Sequence, residues 1–165
     1  MDIERSLIKE LEVYFGSDKK RINHAKRVLG FAEELLRKEK GDWHIVIPAA
    51  ILHDVGIKAA EAKFGSSAGH LQEKEGPEIA RKILMKFALS KKDIEEICAI
   101  IACHHSPGKI NSLNFKLLYD ADWLVNLKDE IKTQDKKALK PFIDKIFLTQ
   151  SGKALAYKTY LEQSS

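Results

Sequence analysis

Along nearly the whole chain, apolar residues recur at intervals of three and four, and no strict alternation is long enough to make a strand. That period lays side chains along one face of an α-helix. The expected fold is all-α, a single-domain bundle of about six to eight helices. A first helix over residues 2–15 carries Leu7, Leu11 and Tyr14 or Phe15 on one side. A second, capped by Ser17 or Asp18 and ending near Gly41, bears two adjoining stripes: Ile22, Ala25, Leu29, Ala32 and Leu36, and His24, Val28, Phe31 and Leu35. Apolar stripes this broad place a helix deep in a bundle. The third runs from Trp43 to the sequence His53-Asp54-Val55-Gly56, and Pro48 should kink or restart it.

Residues 57–69 include Gly65-Ser66-Ser67-Ala68-Gly69, the best candidate for a mobile loop, and Gly76-Pro77 opens the next helix. Ser90 and Asp93 begin a fifth helix in the manner of a capping box, and Pro107-Gly108 closes it. A sixth begins near Ser112, and one or two more follow around residues 141–148 and 152–161.

At 165 residues the chain suits one domain. It should hide roughly 70% of its unfolded surface, so neither disulfide nor structural metal is needed for folding. Cys98 and Cys103 share one helix and are too far apart to bridge, and free thiols fit a cytoplasmic protein. The start MDIERSLIKE lacks a signal pattern, and no apolar run approaches the ~18 residues of a membrane span. A net charge of +4, spread along the chain without an aromatic-basic patch, gives no reason to expect a nucleic-acid or membrane partner.

Four polar residues stand where apolar ones belong. His24 lies on a stripe of the second helix, His53 and Asp54 close an apolar helix, and Asp122 shares a face with Phe115 and Leu118. Buried imidazoles and carboxylates must pair or bind metal. Two of each, from three helices, make a divalent-cation site with positions left for water and substrate. Neighbours on a helix point about 100° apart, so His53 and Asp54 can reach one ion only at a helix end, beside Gly56.

The order His24 in NHAKRV, ILHDVG at 51–56, His104-His105, and Asp122 in YDADWL resembles the HD-domain superfamily of metal-dependent phosphohydrolases. The resemblance spans about residues 20–127, with C-terminal helices over 128–165. It implies an HD-type bundle in which His24, His53, Asp54 and Asp122 hold a divalent ion: Mn, Fe, Co, Ni, Zn or Mg. Two-metal members add a His shortly before a glycine, but here Gln72-Glu73-Lys74-Glu75 precede Gly76 and His70 lies further upstream. One ion is the simpler expectation and two are allowed.

The resemblance further implies hydrolysis of a phosphomonoester or phosphodiester, a nucleotide being the expected small substrate. The alternative is a nucleotide-sensing or partner-binding module without turnover. His104, His105 and Lys58 are candidates to meet phosphate charge, and Glu73 or Glu75 to act as base or orient water. Asp120, His70 and Glu75 are candidates for contacts behind the ligands. Oligomeric state is not legible, a dimer being one allowed arrangement.

Overall fold

A computed structural model describes residues 2–131 and 136–162, all helices and connections, with no strand among the described residues. The elements are α1 (Ile3–Phe15), α2 (Lys19–Leu36), α3 (Trp43–Leu52), α4 (Gly56–Phe64), α5 (Gly69–Leu84), α6 (Lys91–Ile101), α7 (Leu113–Ile131), α8 (Lys136–Ile146) and α9 (Gln150–Ala156), the last running into a π-helical turn at Tyr157–Leu161. Short polar side chains start several of them by accepting from orphan backbone N–H groups. Asp2 does so for α1, Asp18 for α2, Asp42 for α3, Ser90 for α6 and Thr149 for α9.

The apolar sequence of α3 explains the architecture. Every residue from Ile45 to Leu52 is buried, so the helix has no face for solvent and must be surrounded. It is: α3 touches α1, α2, α6 and α7, and α2 also packs on α7. Pro48 sits inside a helix that continues through it. No helix among the described residues is long and apolar enough to cross a membrane.

The structure fills in residues 57–69, to which the sequence assigns no helix. They contain α4, which buries Ile57 and Ala60 and ends at Gly65 in the left-handed conformation, φ 66°. The loop shrinks to residues 65–68, and α5 starts at Gly69, seven residues before the expected Gly76. Gly76 serves close packing and not helix initiation. A Cβ on Gly56 would run into the Gln72 carbonyl and the Gly76 backbone nitrogen, so the backbones of α4 and α5 meet there.

Asp120 is also not where the sequence reading put it. Fully buried on α7, it turns to the C-terminal segment and accepts from the backbone N–H groups of Leu148 (2.9 Å) and Thr149 (2.9 Å) and the Thr149 hydroxyl (2.7 Å). Burial pushes its carboxyl up to about 6 despite these bonds. Gly152 leaves room for it, since a Cβ there would collide with the carboxylate. Asp120→Ala should leave buried donors unmet and destabilise the protein by about 2–4 kcal/mol. Hydrogen exchange should show the loss concentrated in α9, and unchanged protection of α9 would contradict this account.

Candidate metal centre

The turns that end α3 and α6 solve the same local problem in the same way. The last carbonyls of a helix have no partner within it. After α3, His53 donates its Nδ1–H to the Ala50 carbonyl at 2.8 Å, and after α6, His104 donates to the Ile101 carbonyl at 2.7 Å. Each bond orients a ring and leaves Nε2 as the free nitrogen. Both Nε2 atoms are buried and have no hydrogen-bond partner. An unmet buried polar atom ordinarily costs about 1–3 kcal/mol, so two pointing to one place call for an occupant.

They point at two carboxylates. His53 Nε2 lies 3.2 Å from Asp54 Oδ2 and 3.4 Å from Asp122 Oδ1. His24, on α2, bonds Asp122 Oδ1 through Nε2 at 3.0 Å and lies 3.3 Å from Asp54 Oδ2. His104 Nε2 stands 3.4 Å from the other Asp54 oxygen. The four expected ligands therefore converge, and His104 joins them. His24, His53 and Asp54 present ligand atoms all within 4.8 Å of one another, and so do Asp54, His104 and His105. Asp54 is common to both sets. Imidazole nitrogens and carboxylate oxygens in this mixture suit a divalent transition metal, and the orphaned Nε2 atoms fit its bonds.

Electrostatics agree. Burial opposes a charge on His53, but the adjacent Asp54 and Asp122 outweigh it and hold the imidazole well above its ordinary pKa. Burial likewise opposes ionisation of Asp54, which His53 and His104 nonetheless keep well below the usual carboxylate range. Asp122 is held low by His53 and by the His24 hydrogen bond, against its own burial. His105 is pushed down by burial and then by His104 beside it. The carboxylates thus favour a proton where a metal would otherwise sit.

A pocket of about 310 Å³ opens over His24, Asp54 and Asp122. Its walls add residues the sequence reading missed: Lys20 and Arg21 on α2, Gln72 on α5, and Asn126 and Asp129 on α7. Helical spacing carries the signal for most of them, since Lys20 and Arg21 lie one turn before His24 and Asn126 one turn beyond Asp122.

Other candidates lie elsewhere. Lys58 is exposed and donates to the Tyr14 carbonyl at 3.2 Å, drawn to the unpartnered end of α1. Glu73 is buried, with its carboxylate taken by the Ser106 hydroxyl (2.8 and 3.0 Å) and the His105 backbone N–H (3.2 Å). Glu75 pairs with Lys63 at 2.6 Å, and His70 is exposed in the first turn of α5. None of the four lines the pocket.

Residues 21–127 match the sequence profile of the HD domain. No curated protein matches the chain. Among solved structures, that of a predicted HD superfamily hydrolase from an uncultured Thermotogales bacterium is similar, with a TM-score of 0.69 and 26% sequence identity. The match covers 94% of this chain and 84% of that one.

A divalent cation added to metal-free protein near neutral pH should displace the proton held on His53, releasing about one proton per ion bound there. Affinity should therefore rise with pH up to the raised His53 value. Calorimetry in buffers of differing ionisation enthalpy counts the protons, and binding with no release would rule out His53 as a ligand.

Proposed function

We propose, on the premise that the chain belongs to the HD-domain family of metal-dependent hydrolases, that it hydrolyses a phosphomonoester or phosphodiester, with a nucleotide as the substrate class. The observation that carries the reading is the pair of buried, unpartnered Nε2 atoms of His53 and His104 directed at Asp54 and Asp122. His24, His53, Asp54 and Asp122 would hold the ion. Such an ion supplies Lewis acidity, lowering the pKa of water and polarising a phosphoryl oxygen. Because His104 and His105 share Asp54 with the first set, the geometry supports a second ion more strongly than the missing upstream His suggested.

The chain's own groups do the remaining work. The Ala50 and Ile101 carbonyls fix the His53 and His104 rings before any substrate arrives, which removes reorganisation from the reaction. Lys20 on the pocket rim offers a cation to substrate phosphate, whereas Arg21 is partly neutralised by Asp18 and Glu61. His105, at the pocket edge, is the residue best placed to carry a proton. Glu73 and Lys58 drop out of the catalytic assignment because other partners hold them.

The pocket volume lies at the small end of the range for ligand sites, which favours a small phosphorylated substrate over a nucleic acid. Buried free Cys98 and Cys103 are in keeping with a cytoplasmic protein. The proposal takes the motif-bearing core, residues 20–127, and the C-terminal helices as one functional domain. A module that only senses a nucleotide has no need of a complete ligand set, which weighs against the alternative.

Asp54→Ala should lose bound metal and drop phosphatase or phosphodiesterase turnover below about one-hundredth of the parent value, since Asp54 serves both ligand sets. A nucleotide and model-diester screen with metal analysis checks this. Undiminished activity in metal-free Asp54→Ala protein would sink the proposal.

A further inference from the structure

His105 is held differently from the other histidines of the centre, and the residue responsible is Gln72. His53 and His104 are each anchored through Nδ1–H to a helix-end carbonyl and keep Nε2 free. His105 instead contacts Gln72 Oε1 through its Nε2, at 3.1 Å. The direction of that bond follows from the far side of the same amide. Gln72 Nε2 lies 2.6 Å from the Ser67 carbonyl, which can only accept, so the amide NH2 group must face Ser67. The amide oxygen then faces His105, and an oxygen needs a donor: His105 carries its proton on Nε2. In the neutral ring the lone pair is left on Nδ1.

The rest of the surroundings hold the ring in place. Gly69, at the start of α5, lies so close that a Cβ there would meet His105 Cβ, Cγ and Cδ2 at 3.2–3.3 Å. Glu73 accepts from the His105 backbone N–H at 3.2 Å and fixes the following Ser106 hydroxyl. Gln72 and Glu73 are both buried, although the His105 and Ser67 ends of these bonds reach solvent. Three successive contributions from the first turn of α5 therefore clamp one residue of the α6–α7 connection: the Gly69 backbone, the Gln72 amide and the Glu73 carboxylate.

We propose that Gln72 is a positioning residue that fixes His105 as the Nε2–H tautomer and ties that state to the loop over residues 65–68. His105 would then act through Nδ1, the one atom left to it for ligating an ion or accepting a proton. The loop is part of the device because the Ser67 carbonyl is the acceptor that orients the amide NH2 group. If the loop lifts, Gln72 can turn over and present NH2 to His105, which reverses the tautomer the ring must adopt. A conformational change at the pocket edge would thus be converted into a change in which His105 nitrogen is basic. The functional meaning rests on the proposed hydrolytic reading of the centre; the tautomer and its link to the loop do not.

The test uses the full chain with Zn2+ alone as the added ligand, and reads His105 by 15N NMR, which separates protonated from unprotonated ring nitrogens. The parent protein should show His105 Nε2 protonated and Nδ1 not. Gln72→Leu should move the two His105 nitrogens toward each other, speed amide exchange over residues 66–68, and lower turnover about 10- to 100-fold. Gln72→Glu separates the halves of the device: its carboxylate still accepts from Nε2–H but cannot donate to Ser67. Read at a pH where the ring stays neutral beside the new carboxylate, it should keep the His105 proton on Nε2 while freeing the loop. A parent spectrum with the proton on Nδ1 overturns the proposal without any variant. So does an unchanged His105 spectrum in Gln72→Leu, or a neutral His105 ring with its proton on Nδ1 in Gln72→Glu. The spectrum is read whether or not a phosphoester is turned over, so failure of the proposed function and failure of this link are distinguishable.

Discussion

The bonds from two histidine Nδ1 atoms to the final carbonyls of α3 and α6 organise the centre. A helix end inside a protein leaves acceptors that must be met, and an imidazole three residues on can meet one. Doing so spends one nitrogen of the ring and aims the other. Because α3 and α6 pack against each other and end at the same level, the two aimed nitrogens converge. Asp54 follows His53 directly, and its two oxygens lie close to nitrogens from α2, from the end of α3 and from the end of α6. The requirement that α3 be surrounded is therefore also what brings the candidate ligands from separate helices to its end.

Much of this could be read from the sequence because it rests on periodicity. His24 and Asp122 interrupt apolar stripes, and burying such residues without partners is too costly to be accidental. Their convergence with His53 and Asp54 is what the structure places at 3.0–3.4 Å. The helical class was legible for the same reason. Lys58, Glu73 and Asp120 are held instead by groups on remote elements, backbone groups among them in each case. Lys58 went to the last turn of α1, Glu73 to the Ser106 turn and Asp120 to the start of α9. Every residue has a backbone N–H or C=O to offer, apart from the proline N–H, so no pattern of residue types marks the one that will be left unpaired.

The helix over Gly56–Phe64 escapes the sequence for another reason. In a sequence glycine reads as a break in structure, yet Gly56 and Gly76 are places where two helices touch. Both uses follow from the missing Cβ, and sequence alone does not separate them. The consequence reaches the centre, since an α5 that starts at Gly69 brings Gln72 and Glu73 up to His105.

Size does not select the pocket. Cavities of about 400 and 490 Å³ lie near Phe87 and Leu89, both larger than the one over Asp54. Among the described residues, however, the side-chain groups able to hold a metal are the two that share Asp54. The rim of that pocket also carries opposed charges, with Lys20 and Arg21 on one helix, Asp129 on another, and Arg21 already paired with Asp18 and Glu61. A polyanion laid across such a rim would gain little from it, because fixed acids cancel part of the attraction at distances well inside the roughly 8–10 Å over which salt leaves charges visible. A single phosphate inside the pocket would meet the ionised Asp54 and Asp122, so its attraction would depend on the divalent ion that the proposal places there. The phosphate charge would be met inside, where low dielectric strengthens each contact. The mild +4 of the chain then bears on encounter at most, and discrimination falls to the buried centre.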